Sequence, residues 1–241
     1  DVERIELSKA AIEAGKLDES LTHLEPILKR EAADGDRIVG LARSIAAVAL
    51  HRRGVGHFRA ARIEESIADW DLELEYSPQD EPGHWQRGIA LYYAGEFERG
   101  VKQFEVHRTV NPNDVENAVW HLLCAVRAPD GTLEKARENY IPINLERDRR
   151  VPMAEIYELF AGKTTPEAVL KAGAGGGGQG EFYADLYVGL FYEITGEFGK
   201  AMQHIAKAGQ NPVSGHYMGD VARVHLIVRD RESKESGQSE R

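Results

Sequence analysis

The sequence predicts an all-α solenoid in which antiparallel helical hairpins stack into a right-handed superhelix. Three observations lead there. Residues 47–80 and 81–114 align without a gap at a period of 34, matching Arg53/Arg87, Gly54/Gly88, Phe58/Tyr92, Ile63/Phe97, Trp70/Phe104, Pro78/Pro112 and Asp80/Asp114. A third copy lies downstream, where Gly189 and Ala201 keep the twelve-residue separation of Gly88 and Gly100. The stretches between the copies carry apolar residues at helical spacing, as in Val119, Trp120, Leu123 and Val126. A fixed period of this length marks units that each form one hairpin and bury their apolar faces by stacking on the next.

Taken in order, residues 1–46 read as an irregular N-terminal hairpin or cap. Gly15, Leu17, Ser20 and Leu24 fall in the relative places of the later copies, and Pro26 is expected to interrupt the second helix. In the units 47–80 and 81–114, Gly54 and Gly88 sit mid-helix. Glycine there costs about 1 kcal/mol relative to alanine, so the close approach of a neighbouring helix has to offset it. Ala61 and Gly95 mark the turn between the two helices, Ser66 and Gly100 are the small residues of the second helix, and Trp70 and Phe104 fill the space between helices. Pro78 and Pro112 stop the second helix, since proline lacks the amide donor and turns its predecessor away from helix.

Two degenerate hairpins follow, at 115–141 and 152–172; the second has Thr165-Pro166-Glu167 as a helix start with proline in the first turn. The third clear copy spans 182–215, and a closing helix is expected at 217–228. The Gly-rich run 173–180 formally contains Gly-x-Gly-x-x-Gly, but that fingerprint works only between a strand and a helix. With a helical segment before it, the run reads as a flexible linker. The polar tail 229–241 shows no periodicity and reads as disordered.

Composition narrows the function. A formal net charge of −10 argues against a nucleic-acid binder, which would show a basic stripe. Cys124 is the only cysteine, so neither an intrachain disulfide nor a Cys-rich zinc site is available. No apolar run approaches the roughly 20 residues that span a bilayer. The chain opens Asp-Val-Glu-Arg without a signal segment in view, so a periplasmic or organelle-lumen location would need an upstream targeting segment.

The repeat pattern is that of the tetratricopeptide (TPR) type. The run Trp85-Gln86-Arg87-Gly88-Ile89-Ala90-Leu91-Tyr92-Tyr93-Ala94-Gly95 resembles the NlpI-like bacterial lipoprotein family more closely. So do Asn111-Pro112-Asn113-Asp114 with Trp120 soon after, Tyr157-Glu158-Leu159-Phe160-Ala161-Gly162-Lys163, and the order of later elements to about Val228. That resemblance implies a TPR solenoid, a homodimer, and an adaptor that gathers cell-wall hydrolases and a protease without a catalytic site of its own. Two features depart from the family pattern: no lipidated cysteine stands near Asp1, and the 173–180 run looks foreign to it.

The expected function is therefore non-catalytic binding of a protein or peptide segment in the concave groove, with no cofactor. Counting from the repeat starts, the first helices should present His51, Arg52, Val55, Phe58 and Arg59, then Trp85, Gln86, Ile89, Tyr92 and Tyr93, then Trp120, Leu123 and Arg127. Aromatic and arginine side chains are the usual anchors of protein interfaces. Two alternatives stand beside this one. One is a metal-binding or metal-dependent protein in which His84, His107, His121 and Cys124 converge. The other is a structural subunit contacted on its convex face.

Overall fold

The computed structural model describes residues 1–30 and 36–239, and among these every regular element is helical. The first hairpin is α1 (Val2–Glu13) and α2 (Leu17–Leu28), turned by Gly15 at φ +72°. Pro26 lies in the last turn of α2 without interrupting it, at the loss of one i→i−4 hydrogen bond. The Ser8 and Ser20 hydroxyls meet at 2.7 Å in the buried contact between the two helices. The N-terminal unit is thus a regular hairpin, not an irregular one. Residues 31–35 of the expected 1–46 unit lie outside the described residues.

The expected boundary at 46/47 falls inside α3 (Arg37–Arg59), whose start is capped by the Asp36 carboxylate accepting from the Ile38 and Val39 amides. The first half of α3 joins α1 and α2 around a small core that includes Leu24, Ile27, Val39, Ala42 and Ala46. Its second half pairs with α4 (Ile63–Tyr76) and belongs to the main core, which continues through the rest of the chain.

The repeat residues perform the expected tasks. A Cβ on Gly54 would lie 2.5 Å from Nε1 of the buried Trp70, and one on Gly88 would lie 2.6 Å from Cζ of Phe104. One on Gly189 would run into Ile205, sixteen residues on as in the other two pairs. Ser66 adds a hydrogen bond from Oγ to the Gly54 carbonyl, at 2.9 Å. Arg53 and Arg87 each reach the helix that follows, bonding Asp69 (Nε, 2.8 Å) and Gln103 (Nη1, 2.7 Å) at corresponding positions. A short 3-10 segment, Pro78–Gly83, leads into α5 (Trp85–Tyr93) and α6 (Phe97–His107).

Beyond these come α7 (Val115–Arg127), the six-residue α8 (Leu133–Glu138), α9 (Met153–Phe160), α10 (Pro166–Gly175), α11 (Gly177–Ile194) and α12 (Phe198–Gln210). Two expectations are corrected here. Residues 173–180 are not a flexible linker: they form the corner between α10 and α11. Gly173 and Gly180 are in contact there, and a Cβ on Gly173 would stand 2.5 Å from the Ala184 Cβ and 2.8 Å from the Gly180 carbonyl oxygen. Glycines that look like flexibility in the sequence are spent on close packing.

The second correction concerns the tail. The last helix, α13, runs Tyr217–Ser239, so residues 229–239 continue the closing helix; 240 and 241 lie outside the described residues. Arg229 and Arg231 bond back to the body, and Asp230–Lys234 (2.6 Å) supports the exposed side at i,i+4 spacing.

Candidate functional site

The helix α13 lies against α3 and α5, the first helices of two hairpins, on the side expected to form the inner wall. Tyr217 at the start of α13 stacks on Phe58 of α3 (centroids 5.3 Å, planes 15° apart) and meets Trp85 of α5 edge-on at 5.0 Å. Asp220 accepts from Arg59 Nε at 2.7 Å. His225 Nδ1 lies 3.2 Å from the Tyr93 hydroxyl, and the Arg229 guanidinium sits over both Tyr92 and Tyr93. Further along, Arg231 donates to the Ala61 carbonyl at 2.7 Å. A cavity of about 170 Å³ remains where Met218 faces Trp85, Ile89, Phe104 and Trp120.

This arrangement overturns part of the expected groove. Phe58, Ile89, Tyr92, Tyr93, Trp120 and Leu123 are buried and form core, because α13 and the packing between repeats cover them. His51, Val55, Trp85 and Gln86 are half-buried, while Arg59 and Arg127 keep their ends in solvent. Arg127 spreads over the rings of Tyr92 (5.5 Å) and Phe97 (5.3 Å), a cation–π placement that uses its face as a cover.

The residues that sequence reading missed gather around Glu193 of α11. This buried carboxylate accepts from the Tyr92 hydroxyl at 2.6 Å and from Arg229 Nε at 2.5 Å, with His225 Nε2 at 3.6 Å and Arg127 Nη1 at 3.7 Å. Burial pushes Glu193 up, but the charges of His225 and Arg229 and the hydrogen bonds from Tyr92 and Arg229 outweigh it and hold the carboxyl below its ordinary range. His225 itself is driven down to about 4 by burial, against the pull of Glu193. The signal for this network was the spacing of Arg229, which extends the apolar face of Met218, Val221, Ala222 and His225, while the Asp230–Lys234 pair stays on the exposed side.

The histidines do not converge as the metal alternative expected. His107 Nδ1 bonds the Pro82 carbonyl (2.7 Å), and His121 lies 3.8 Å from Glu105. Cys124 is sealed beneath Gly100, its thiol pushed well up by burial. His84 instead turns toward α3 and α4, where it joins His51 and Glu73. Among the described residues these three place their donor atoms within 4.8 Å of one another.

No protein-family model matches the chain, and no match is found among curated proteins. Among solved structures the chain is similar to a tetratricopeptide repeat protein from Parabacteroides merdae ATCC 43184. The two are 16% identical, the alignment covers 94% of this chain and 97% of that one, and the TM-score is 0.44. A likeness so distant carries no argument, and the all-α stack of hairpins rests on the helix order and on the nesting at Gly54, Gly88 and Gly189 described above. No helix among the described residues is long and apolar enough to cross a membrane.

Proposed function

We propose that this chain is a non-catalytic protein-interaction scaffold whose inner wall recognises an amphipathic helix. The observation that carries the reading is α13: the wall already holds one such helix in cis, seated by aromatic stacking, an Arg–Asp pair and the Glu193 network. A surface whose aromatic row accepts a helix from its own chain has the chemistry to accept a helix from another.

The stretch of wall left for a partner is the first half of the same α3 stripe. Leu41, Ser44, Val48 and Arg52 recur at helical spacing and lead into Val55 and Arg59, where α13 takes over. Leu41 and Val48 are 43% and 46% exposed, large apolar side chains on an otherwise well-packed helix. The partner helix lies on this ridge, end to end with α13. An adaptor role and a homodimer, both implied by the resemblance of residues 85–95 and 157–163, belong to the same reading.

The test is recovery of partners from the native source with wild type, Leu41→Glu/Val48→Glu, and an exposed control elsewhere, Lys102→Glu. The double variant should lose the specific partner while the control keeps it. Equal recovery by all three would remove the wall from the reading. The dimer is tested separately by light scattering at micromolar concentration, where a monomer mass rejects it.

A further inference from the structure

The junction between the first two clear repeats brings together His51 of α3, Glu73 of α4 and His84, the residue that opens α5. His51 Nδ1 lies 3.2 Å from both Glu73 oxygens, and His84 Nε2 lies 3.0 Å from Glu73 Oε2. The two imidazole centroids are 5.3 Å apart with planes at 50°. Ligand atoms around a tetrahedral zinc ion, at bonds of 2.0–2.2 Å, are separated by about 3.3 Å. The two histidine–carboxylate edges are within a few tenths of an ångström of that spacing, and all three donor atoms lie within 4.8 Å of one another, so modest side-chain rotations would admit an ion between them.

We propose that His51, Glu73 and His84 form a binding site for a divalent transition-metal ion, zinc(II) being the best match for two imidazoles and one carboxylate. Three further features support it. Glu73 is buried, and among the described residues its ion-pair partners within 4 Å are these two imidazoles, while Arg52 lines the same cavity without pairing to it at that distance. A buried carboxylate needs a counter-charge, which a dication supplies without protonating either ring. Finally, His51 is half-exposed and opens with Glu73 onto a cavity of about 390 Å³ whose polar lining is Ser44, Arg52, Ser77, Gln79 and Asp80. That cavity gives an entry path and room for a fourth ligand, water or a side chain.

The rest of the surroundings holds the ligands in place. Trp70 Nε1 donates to the His51 carbonyl at 3.3 Å, and its indole stands edge-on to His84 at 5.3 Å. The buried Nδ1 of His84 has no hydrogen-bond partner, so coordination through Nε2 costs this ring no existing bond on its other side. Bound there, the ion pins the start of α5 to the α3–α4 hairpin and fixes how the second repeat leaves the first. The cavity shares Ser44, Val48 and Arg52 with the ridge proposed for a partner, but none of the three ligands belongs to that ridge.

The experiment uses the full chain stripped with a chelator and then titrated with zinc(II) alone against a chromophoric competitor. Cobalt(II) serves as a spectroscopic stand-in, since tetrahedral nitrogen and oxygen ligation gives intense visible bands. Wild type should take up one ion per chain and melt at a higher temperature with it. His51→Ala, at a half-exposed position, should keep the wild-type circular dichroism spectrum and weaken binding by roughly 100-fold or more, beyond what changes around the ligands do. Glu73→Gln should do the same where it folds, and His204→Ala, which removes the separate His204–Asp185 pair, should leave binding unchanged. No uptake by wild type, or equal affinity in His51→Ala, overturns the proposal.

Discussion

Two glycines two residues apart in α3 should respond to the same substitution with opposite signs. Gly56 has nothing within 4 Å of the place a Cβ would occupy, and it is exposed in the last turn of a long helix. Gly56→Ala should therefore stabilise the protein by about 1 kcal/mol, the helix-propensity difference. Gly54→Ala gains the same term but puts a methyl 2.5, 2.8 and 2.9 Å from three atoms of the Trp70 indole. Trp70 is fully buried and cannot swing aside, so the helices separate or the indole shifts at a cost of about 1–3 kcal/mol. The shift also endangers the Trp70 Nε1 bond to the His51 carbonyl, worth about 0.5–1.5 kcal/mol. The net expectation for Gly54→Ala is a loss of about 1–3 kcal/mol, or several degrees in Tm for a chain of this size. Urea unfolding of wild type and both variants, followed by circular dichroism and by tryptophan fluorescence, reads the difference directly. Equal stabilisation by both substitutions would refute the claim that the hairpin nests at Gly54.

Other outcomes follow from the corner glycines and the Glu193 network. Gly173→Ala should cost about 2 kcal/mol, because its methyl meets both the Ala184 Cβ and a backbone carbonyl that cannot yield; an unchanged urea midpoint would restore the flexible-linker reading. The folded pKa of His225, about 4, lies below its unfolded value near 6.5, so the unfolded chain takes up the proton first. Stability from this group is complete above pH 6.5 and drains away as pH falls toward 4, by roughly 3 kcal/mol at most. Denaturation midpoints of wild type and His225→Asn across that range should show a flatter acid-side slope in the variant, and parallel slopes would reject the assignment.

How much of this was legible in the sequence depends on the range of the interaction. The hairpins were legible because each is specified locally: Gly54 meets Trp70 and Gly88 meets Phe104 sixteen residues on, and the period repeats the pair. Even Ala61 was placed at its turn, where it adopts φ +52° in the place that glycine holds in the other hairpins. The extra turns of α13 and the corner at 173–180 were not legible by composition, since charge-rich and glycine-rich segments look alike whether they are free or held. Their order comes from partners far along the chain, Glu193 and Tyr92 for Arg229, and Ala184 for Gly173. The same distance explains the misplaced groove. Nothing near Phe58, Tyr93 and Trp120 in the sequence says that a helix beginning at Tyr217 returns toward them.

That return changes what kind of object the chain is. In an open array each unit touches only its neighbours, and melting can creep inward from either end. Here Asp220 reaches Arg59 across 161 positions and Arg231 reaches Ala61 across 170, tying the last element to an early one as a clasp closes a bracelet. Units between those points cannot peel away one at a time without first opening the clasp, so this span should come apart in a single step.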